Sequence, residues 1–205
     1  MKTKLYLSFF VVIWIAIIAV SFSLISCNIT PGLISTEREL ILCKQVKEKS
    51  YIALIEGIQP LSGESMKLLG QKLSISKNIS VCATSGNHDS HMPIIRVAFK
   101  NHHKIYIAGF SAGEGEAIQL ARDCEKEGIT VEKLFLLDGV EKGKIPRTVK
   151  NAVDIVGTSP YIFRRSLRYS ESDLENKNTS IEHFKVSSSH LDVPAKSYSI
   201  MLSEF

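Results

Sequence analysis

The stretch KIYIAGFSAGEGEA, residues 104–117, joins two kinds of predicted secondary structure through a short turn. Its first six residues, KIYIAG, form the largely apolar run that is typical of a strand buried on both faces of a sheet. The following segment, AGEGEAIQLARDCEKEG at 112–128, has helical character and ends at a glycine. Ser111 therefore lies where a buried strand gives way to a helix, with Gly109 and Gly113 on either side of it.

Strand-like and helix-like patterns alternate along the chain and predict an α/β fold. We expect strands at 51–57, 79–84, 104–109, 131–138, 152–157 and 182–188. We expect helices at 38–49, 62–74, 92–101, 112–128 and 194–205. Alternation of this kind predicts a mostly parallel sheet of about six strands with helices on both faces. Residues 158–180 interrupt the alternation and are expected to cross the surface.

The first 26 residues differ from the rest of the chain. Two lysines precede an uncharged, apolar run at 5–26, an arrangement found in secretory signals and membrane anchors. The run ends in Leu-Ile-Ser-Cys at 24–27, which resembles the bacterial lipobox, where the cysteine is lipidated and becomes the mature N-terminus. We therefore predict a signal peptide or membrane anchor at 1–26 and lipidation of Cys27. An uncleaved anchor and a simple secreted form are the alternatives, and all three export the remainder, to the periplasm or the cell surface.

The remaining composition limits the classes of function. Residues 27–36 are expected to form a tether, and 37–205 are sufficient for one domain with a hydrophobic core. Removal of the two N-terminal lysines lowers the formal net charge from +4 to +2, and no basic cluster is present, so nucleic-acid binding is not predicted. Cys43, Cys82 and Cys124 form no Cys-x-x-Cys pair, so structural zinc is not expected. One disulfide is possible in an oxidising compartment, but its pairing is open.

Ser111 has the placement that a catalytic serine requires. Functional sites of parallel sheets form at the carboxyl ends of the strands, and Gly-x-Ser-x-Gly between a strand and a helix is the context of a nucleophile elbow. The flanking glycines let the backbone close on the sheet, and the Ala112 amide at the helix N-terminus is placed to stabilise an oxyanion. A second oxyanion donor is expected from Ile58 or Gln59, in the loop after the first strand. The alternative is a tight turn in which the serine is incidental.

A serine hydroxyl needs a neighbouring general base, and one histidine is predicted at the correct edge of the sheet. His102 and His103 precede the third strand and His183 opens the sixth, so all three belong to the opposite edge. His190 follows the sixth strand, in the loop before the final helix. We therefore predict His190 as the base.

Two aspartates are candidates for the acid that orients the base. Asp138 ends the fourth strand, where its carboxylate lies at the carboxyl edge, whereas Asp154 lies inside the fifth strand, where it would be buried or face a helix. Placement favours Asp138.

Three segments, IYIAGFSAGEGEAIQLA, LFLLDGV and HLDVP, together resemble the α/β-hydrolase superfamily, in particular its small bacterial thioesterase- and esterase-like members. The similarity covers roughly residues 50–200. It implies a serine hydrolase acting on a small-molecule or lipid acyl ester or thioester, with neither a metal nor an organic cofactor. The order Ser111, Asp138, His190 follows that of the superfamily, and in its thioesterase domains the acid often follows the strand after the nucleophile helix, as Asp138 does.

The sequence also departs from the superfamily pattern. Many relatives carry a histidine before the serine, where this chain has Phe110. Glu114 and Glu116 lie in the first turn of the helix, where they suit the helix dipole but place negative charge near a developing oxyanion. Because the superfamily includes inactive members and a fold does not guarantee function, a non-catalytic binding module at the cell envelope is the first alternative.

A metal-dependent phosphoesterase is the second alternative. The segment SGNHDSHMP, 85–93, contains Gly-Asn-His-Asp, one block of the calcineurin-like metallophosphoesterases. It follows the second strand, so His88, Asp89 and His91 could face the site. A binuclear site needs further ligand blocks, which the sequence lacks, so no metal site is predicted.

Overall fold

Six strands and four α-helices form the part of the chain that the computed structural model describes, residues 50–57, 65–77, 79–140, 142–158 and 169–205. The strands are β1 Ser50–Glu56, β2 Ser80–Ser85, β3 Lys104–Phe110, β4 Val131–Leu137, β5 Val149–Gly157 and β6 Ser180–Val186. The helices are α1 Ser65–Lys77, α2 Met92–Lys100, α3 Gly113–Lys126 and α4 Val193–Ser203. One-turn 3-10 helices span Asp89–His91, Glu171–Asp173 and His190–Asp192.

The six strands form one sheet in the order β2-β1-β3-β4-β5-β6, and every neighbouring pair is parallel. This confirms the predicted six-stranded parallel sheet. The chain moves from β1 outward to β2 and then returns to the other side of β1 to form β3. The loops that leave the carboxyl ends of β1 and β3 therefore run in opposite directions, and such a point is where open α/β sheets form a crevice for ligands.

Helices cover both faces of the sheet, because successive side chains of a strand point to opposite faces. On β1, Tyr51 and Ile55 belong to a buried cluster that includes residues of α2 and α3. Ile52 and Leu54 belong to a second cluster on the other face, with residues of α1 and α4. The predicted burial of the central strands on both faces is confirmed.

The strand β5 begins earlier than the sequence predicts, because its first residues include polar side chains. The strand begins at Val149, three residues before the expected start at 152. The first three residues of β5 include Lys150 and Asn151, whose side chains contact the neighbouring strand β4. Lys150 Nζ lies 2.8 Å from a carboxylate oxygen of Glu132, and the Asn151 side-chain amide donates to the Glu132 carbonyl. These cross-strand contacts accommodate polar side chains at the amino edge of the sheet.

Several predictions concern residues outside the described ranges. These are the signal or anchor at 1–26, the tether at 27–36 with Cys27, the helix at 38–49, the oxyanion candidates Ile58 and Gln59, and residues 159–168 of the surface segment. Among the residues that are described, no helix has both the length and the apolar composition needed to cross a bilayer. Cys82 is disulfide-bonded, while Cys124 is free and buried, which removes Cys124 from the possible disulfide pairings.

Candidate active site

Ser111 occupies a strained turn between β3 and α3. Its φ is +57°, in the left-handed region that residues with a side chain rarely adopt. The Ser111 amide donates to the Leu137 carbonyl at the end of β4 over 3.0 Å, and the Glu114 amide donates to the Ser111 carbonyl over 3.2 Å. Hydrogen bonds from β4 and from α3 thus hold the turn on both sides.

The two glycines around Ser111 are required by close backbone contacts. A Cβ on Gly109 would overlap the Gly113 carbonyl oxygen, and a Cβ on Gly113 would overlap the carbonyl oxygen of Ile55 in β1. Side chains at these positions would force α3 away from the sheet. The absence of side chains therefore lets the first turn of α3 lie directly against β1 and β3.

Ser111, His190 and Asp138 form a continuous chain of hydrogen-bonding atoms. His190 Nε2 lies 3.0 Å from Ser111 Oγ, and His190 Nδ1 lies 2.7 Å from Asp138 Oδ2. The side chains of His190 and Asp138 are 10% and 11% exposed, so this contact is shielded without being closed to a substrate. The ring of Phe110 lies against the imidazole, with 4.9 Å between centroids. The residue that departs from the superfamily pattern therefore packs on the proposed base.

Asp138 is also held in a strained turn, at the end of β4. Its φ is +47°, and its amide donates to the Ile155 carbonyl of β5 over 2.8 Å. The Gly157 amide donates to Asp138 Oδ1 over 3.1 Å, which leaves Oδ2 directed at His190. The carboxylate is thus oriented by the end of the neighbouring strand.

The loop that carries His190 has to pass over the end of β5, because β5 lies between β4 and β6. Gly157 ends β5, and a Cβ there would lie 2.9 Å from Val193 Cγ2 and 3.0 Å from the Ser188 carbonyl oxygen. Both distances are shorter than ordinary van der Waals contacts. The missing side chain at Gly157 therefore makes room for the loop between β6 and α4.

The candidates that the sequence placed elsewhere take no part in this chain of hydrogen-bonding atoms. His102 and His103 precede β3 at the opposite edge of the sheet. Asp154 is 1% exposed within β5, and its carboxylate lies 3.0 Å from Nδ1 of His183 on β6. Asp154 and His183 thus form a pair of their own across the β5–β6 contact.

One predicted oxyanion donor, Ala112, lies beside the residue that follows β1. Ala112 is the N-cap of α3. Gly57, which follows β1, lies so close to the elbow that a Cβ on it would be 3.0 Å from Ser111 Cβ and 3.1 Å from the Ala112 nitrogen. The loop after β1 therefore runs beside Ser111 up to its last described residue, and Ile58 is the next residue along the chain.

Glu114 does not carry the charge that the sequence analysis expected. Its side chain is buried, with the residue 2% exposed, and burial raises the pKa of its carboxyl to about 8. Glu114 is therefore mainly neutral at pH 7, so the expected negative charge at the start of α3 is that of Glu116. The Glu116 carboxylate lies 2.5 Å from His88 Nδ1.

The two histidines of segment 85–93 have different side-chain partners and do not face a common site. His91 is buried between Tyr51 and Thr84, 2.9 Å from the Tyr51 hydroxyl and 2.8 Å from Thr84 Oγ1. Burial lowers the pKa of His91 to about 3, so it is neutral.

His88 and Asp89 instead approach Asp123 of α3, and potential metal-ligating atoms of the three residues lie within 4.8 Å of one another. Sequence analysis missed Asp123 because it is distant in the chain and occupies an ordinary polar position of a helix. Its carboxylate is also paired with Lys126, at 2.7 Å.

Comparison with known proteins identifies the fold. No protein-family model and no curated protein matches the chain. Among solved structures, it is similar to the thioesterase domain SrfTE, which cyclises the lipopeptide antibiotic surfactin, with a TM-score of 0.52, 14% identity, and coverage of 75% of this chain and 90% of that one. RedJ, a thioesterase of the prodiginine pathway in Streptomyces coelicolor, has a TM-score of 0.52, 8% identity and coverage of 78% and 87%.

A third similar structure is BorB, a type II thioesterase from the borrelidin biosynthetic cluster, with a TM-score of 0.51, 11% identity, and coverage of 79% of this chain and 95% of that one. At these identities the likeness concerns the fold alone. Together with the six-stranded parallel sheet and its covering helices, it shows that this chain has an α/β-hydrolase fold.

Proposed function

We propose that the chain is a serine hydrolase that cleaves a carboxylic ester or thioester. The observation that supports this most strongly is the contact of Ser111 Oγ with His190 and of His190 with Asp138, at 3.0 and 2.7 Å. Each residue follows the carboxyl end of a different strand, so a rigid sheet fixes their relative positions. A partly buried hydroxyl–imidazole–carboxylate chain of this kind is what activates a serine for attack on a carbonyl.

In the proposed reaction, Ser111 Oγ attacks the substrate carbonyl carbon while His190 Nε2 takes the hydroxyl proton. The Ala112 amide and an amide of the loop after β1, at Ile58 or Gln59, are the proposed donors to the resulting oxyanion. His190 then protonates the leaving alcohol or thiol as the carbonyl re-forms, which gives an acyl-serine. A water molecule, deprotonated by the same nitrogen, attacks this acyl group; the bond to Ser111 Oγ then breaks, His190 returns the proton to that oxygen, and the carboxylic acid is released. Asp138 remains ionised and stabilises the imidazolium.

Two exposed apolar side chains support an acyl substrate. Val140, two residues after Asp138, is 40% exposed, and Leu191, next to His190, is 48% exposed. Apolar surface beside a polar catalytic centre is suited to a hydrocarbon group attached to the scissile carbonyl. The similar solved structures are described as thioesterases, which agrees with an acyl substrate.

We further propose that the enzyme acts outside the cytoplasm and is attached to a membrane at its N-terminus. The basic and apolar residues 1–26 and the lipobox-like ending at Cys27 support export with lipidation. The disulfide at Cys82 supports an oxidising compartment. A membrane location makes lipid or other envelope-derived acyl esters reasonable substrates.

The test is covalent labelling of the full-length chain in detergent micelles, with the Ser111→Ala variant as its matched control. Both proteins are treated with a fluorophosphonate, then assayed on short- and medium-chain p-nitrophenyl esters and on acyl thioesters. Labelling and turnover by the wild type, both lost in the variant, are the expected result. A folded wild-type protein that is neither labelled nor active would favour the binding-module alternative.

The same assay distinguishes the serine mechanism from the metal-dependent alternative. That alternative is supported by the potential metal-ligating atoms of His88, Asp89 and Asp123, which lie close together. Activity that survives Ser111→Ala, and that chelation removes, would assign the reaction to that cluster instead. Activity that is insensitive to chelation and lost in Ser111→Ala supports the serine mechanism.

A further inference from the structure

Glu114 contacts the backbone beside two of the three proposed catalytic residues. Its own amide donates to the carbonyl of Ser111, at 3.2 Å. Its carboxyl group packs against Gly139, the residue after Asp138, where a Cβ would overlap the carboxyl atoms. A third contact, 2.7 Å long, joins Glu114 Oε1 to the hydroxyl of Tyr169. One residue of α3 therefore contacts both the turn after β3 and the turn after β4.

Both turns have a backbone conformation that needs support from the surrounding structure. Ser111 and Asp138 have φ values of +57° and +47°, and residues with side chains keep such values only where neighbouring contacts hold them. The amide of Glu114 donates to the carbonyl of the first strained residue, and its side chain packs on the residue that directly follows the second. Glu114 is thus placed to hold both.

The turn after β4 packs directly on the Glu114 carboxyl. A Cβ on Gly139 would overlap both carboxyl oxygens, so a side chain at position 139 would push Asp138 and Glu114 apart. The fit therefore depends on glycine at 139 and on a side chain of the length of glutamate at 114.

We infer that Glu114 is a positioning residue that fixes the carboxylate of Asp138 relative to Ser111, and through it the imidazole of His190. This inference rests on the proposed hydrolase function for its effect on turnover, whereas the contact with Gly139 is independent of that function. Misplacement of a catalytic group by about 1 Å costs on the order of 100-fold in rate. Loss of the Glu114 side-chain contacts is therefore expected to lower kcat.

The charges around Glu114 favour its neutral form. Asp138 at the end of β4 and Asp154 on β5 both raise its pKa, in addition to the larger effect of burial. Tyr169 faces it as a hydrogen-bond donor, and Lys142 Nζ lies 5.6 Å from the centroid of the Tyr169 ring. A neutral carboxyl can contact the Asp138 turn without adding a further negative charge beside the catalytic carboxylate.

The experiment measures position and turnover separately in the full-length protein. The variants are Glu114→Ala, Glu114→Asp, which shortens the side chain by one methylene, and Glu114→Gln, which preserves its length and its neutral state. Glu116→Gln is the matched control in the same helical turn, since its side chain contacts His88. The readouts are exchange of the Gly139 amide and titration of His190 by NMR, urea unfolding, fluorophosphonate labelling, and kcat and KM across pH.

In Glu114→Ala and Glu114→Asp we expect faster exchange at Gly139, an altered His190 titration, and a fall in kcat of about 100-fold with KM within about threefold. Glu114→Gln should restore exchange protection and kcat at pH 7, and Glu116→Gln should match the wild type. Above pH 8 the wild type should lose kcat that Glu114→Gln retains, because the wild-type carboxyl then ionises. Should the alanine variant fail to fold, the aspartate variant provides the test of whether Glu114 positions Asp138.

Folded Glu114→Ala or Glu114→Asp proteins that lose stability but keep the wild-type His190 titration and kcat would overturn the inference. In that case Glu114 would serve packing alone. A wild-type protein that is neither labelled nor active would refute the proposed hydrolase instead. The Gly139 exchange and the His190 titration would then still decide whether Glu114 holds the turn.

Discussion

Replacement of Glu114 by glutamine is expected to change how the stability of the protein depends on pH. The folded state raises the pKa of this carboxyl from its ordinary value of 4.5 to about 8, chiefly through burial. Between those two pH values the folded protein keeps a proton that the unfolded chain releases. The group therefore stabilises the fold most below pH 4.5, and this contribution is lost progressively as the pH rises towards 8.

The size of the effect follows from the same two pKa values. A shift from 4.5 to about 8, at about 1.36 kcal/mol per pKa unit, amounts to a total on the order of 5 kcal/mol. Between pH 5.5 and pH 7.5 the wild type should lose roughly 2–3 kcal/mol of unfolding free energy through this group. Glutamine has the same length and does not titrate, so the variant lacks this loss.

The assay is urea unfolding of both proteins at pH 5.5 and pH 7.5, with the stability of the variant expressed relative to the wild type at each pH. Other titrating groups, such as the buried His91, are present in both proteins and cancel in this difference. The glutamine variant should gain roughly 2–3 kcal/mol relative to the wild type on going to the higher pH. A difference that stays constant to within about 0.5 kcal/mol would refute the neutral, buried state of Glu114.

Three further outcomes follow from the geometry. Asp138→Asn should lower kcat by about 10⁴-fold because it disturbs the tautomer and orientation of the base, whereas Asp154→Asn should cost less than about tenfold; steady-state kinetics separates them. Tyr51→Phe should remove the hydroxyl that contacts His91 and lower the unfolding free energy, measured by urea unfolding, by about 1–3 kcal/mol. Its kcat should be unchanged. Gly157→Ala should displace the loop that carries His190 and lower kcat by about 10- to 100-fold. Unaltered kinetics would contradict the conclusion that this loop needs a glycine at the end of β5.

The sequence was sufficient to predict the sheet, because buried parallel strands have a distinct apolar pattern. The same reasoning identified Ser111, Asp138 and His190 as residues at strand ends, and the structure brings their side chains within hydrogen-bonding distance. Placement at one edge of a parallel sheet depends only on where each strand ends, which local patterns reveal. The roles of the three residues remain predictions for the labelling and kinetic tests.

Local patterns could not reveal interactions that depend on burial and long-range contact. Glu114 looked like an exposed acid at a helix N-terminus, yet the fold buries it against Gly139 and Tyr169 and raises its pKa. His91 looked like a possible ligand beside His88, yet Tyr51 and Thr84 enclose it. Tyr51, Gly139 and Tyr169 are all distant in the chain from the residues that they contact, so a local pattern does not reveal them.

The strand order explains why a glycine at the end of β5 matters to a site to which it contributes no side chain. The strands that precede Asp138 and His190 are not neighbours, since β5 lies between β4 and β6. Direct contact over 2.7 Å therefore requires the loop after β6 to cross the end of β5, and Gly157 is the residue at that end. Its amide also binds Asp138 Oδ1, so the same residue that admits the loop orients the carboxylate that the loop must reach. Glu114 packs on the Asp138 turn from α3 and Gly157 binds the Asp138 carboxylate from β5, so two separate elements of the fold hold the position of Asp138.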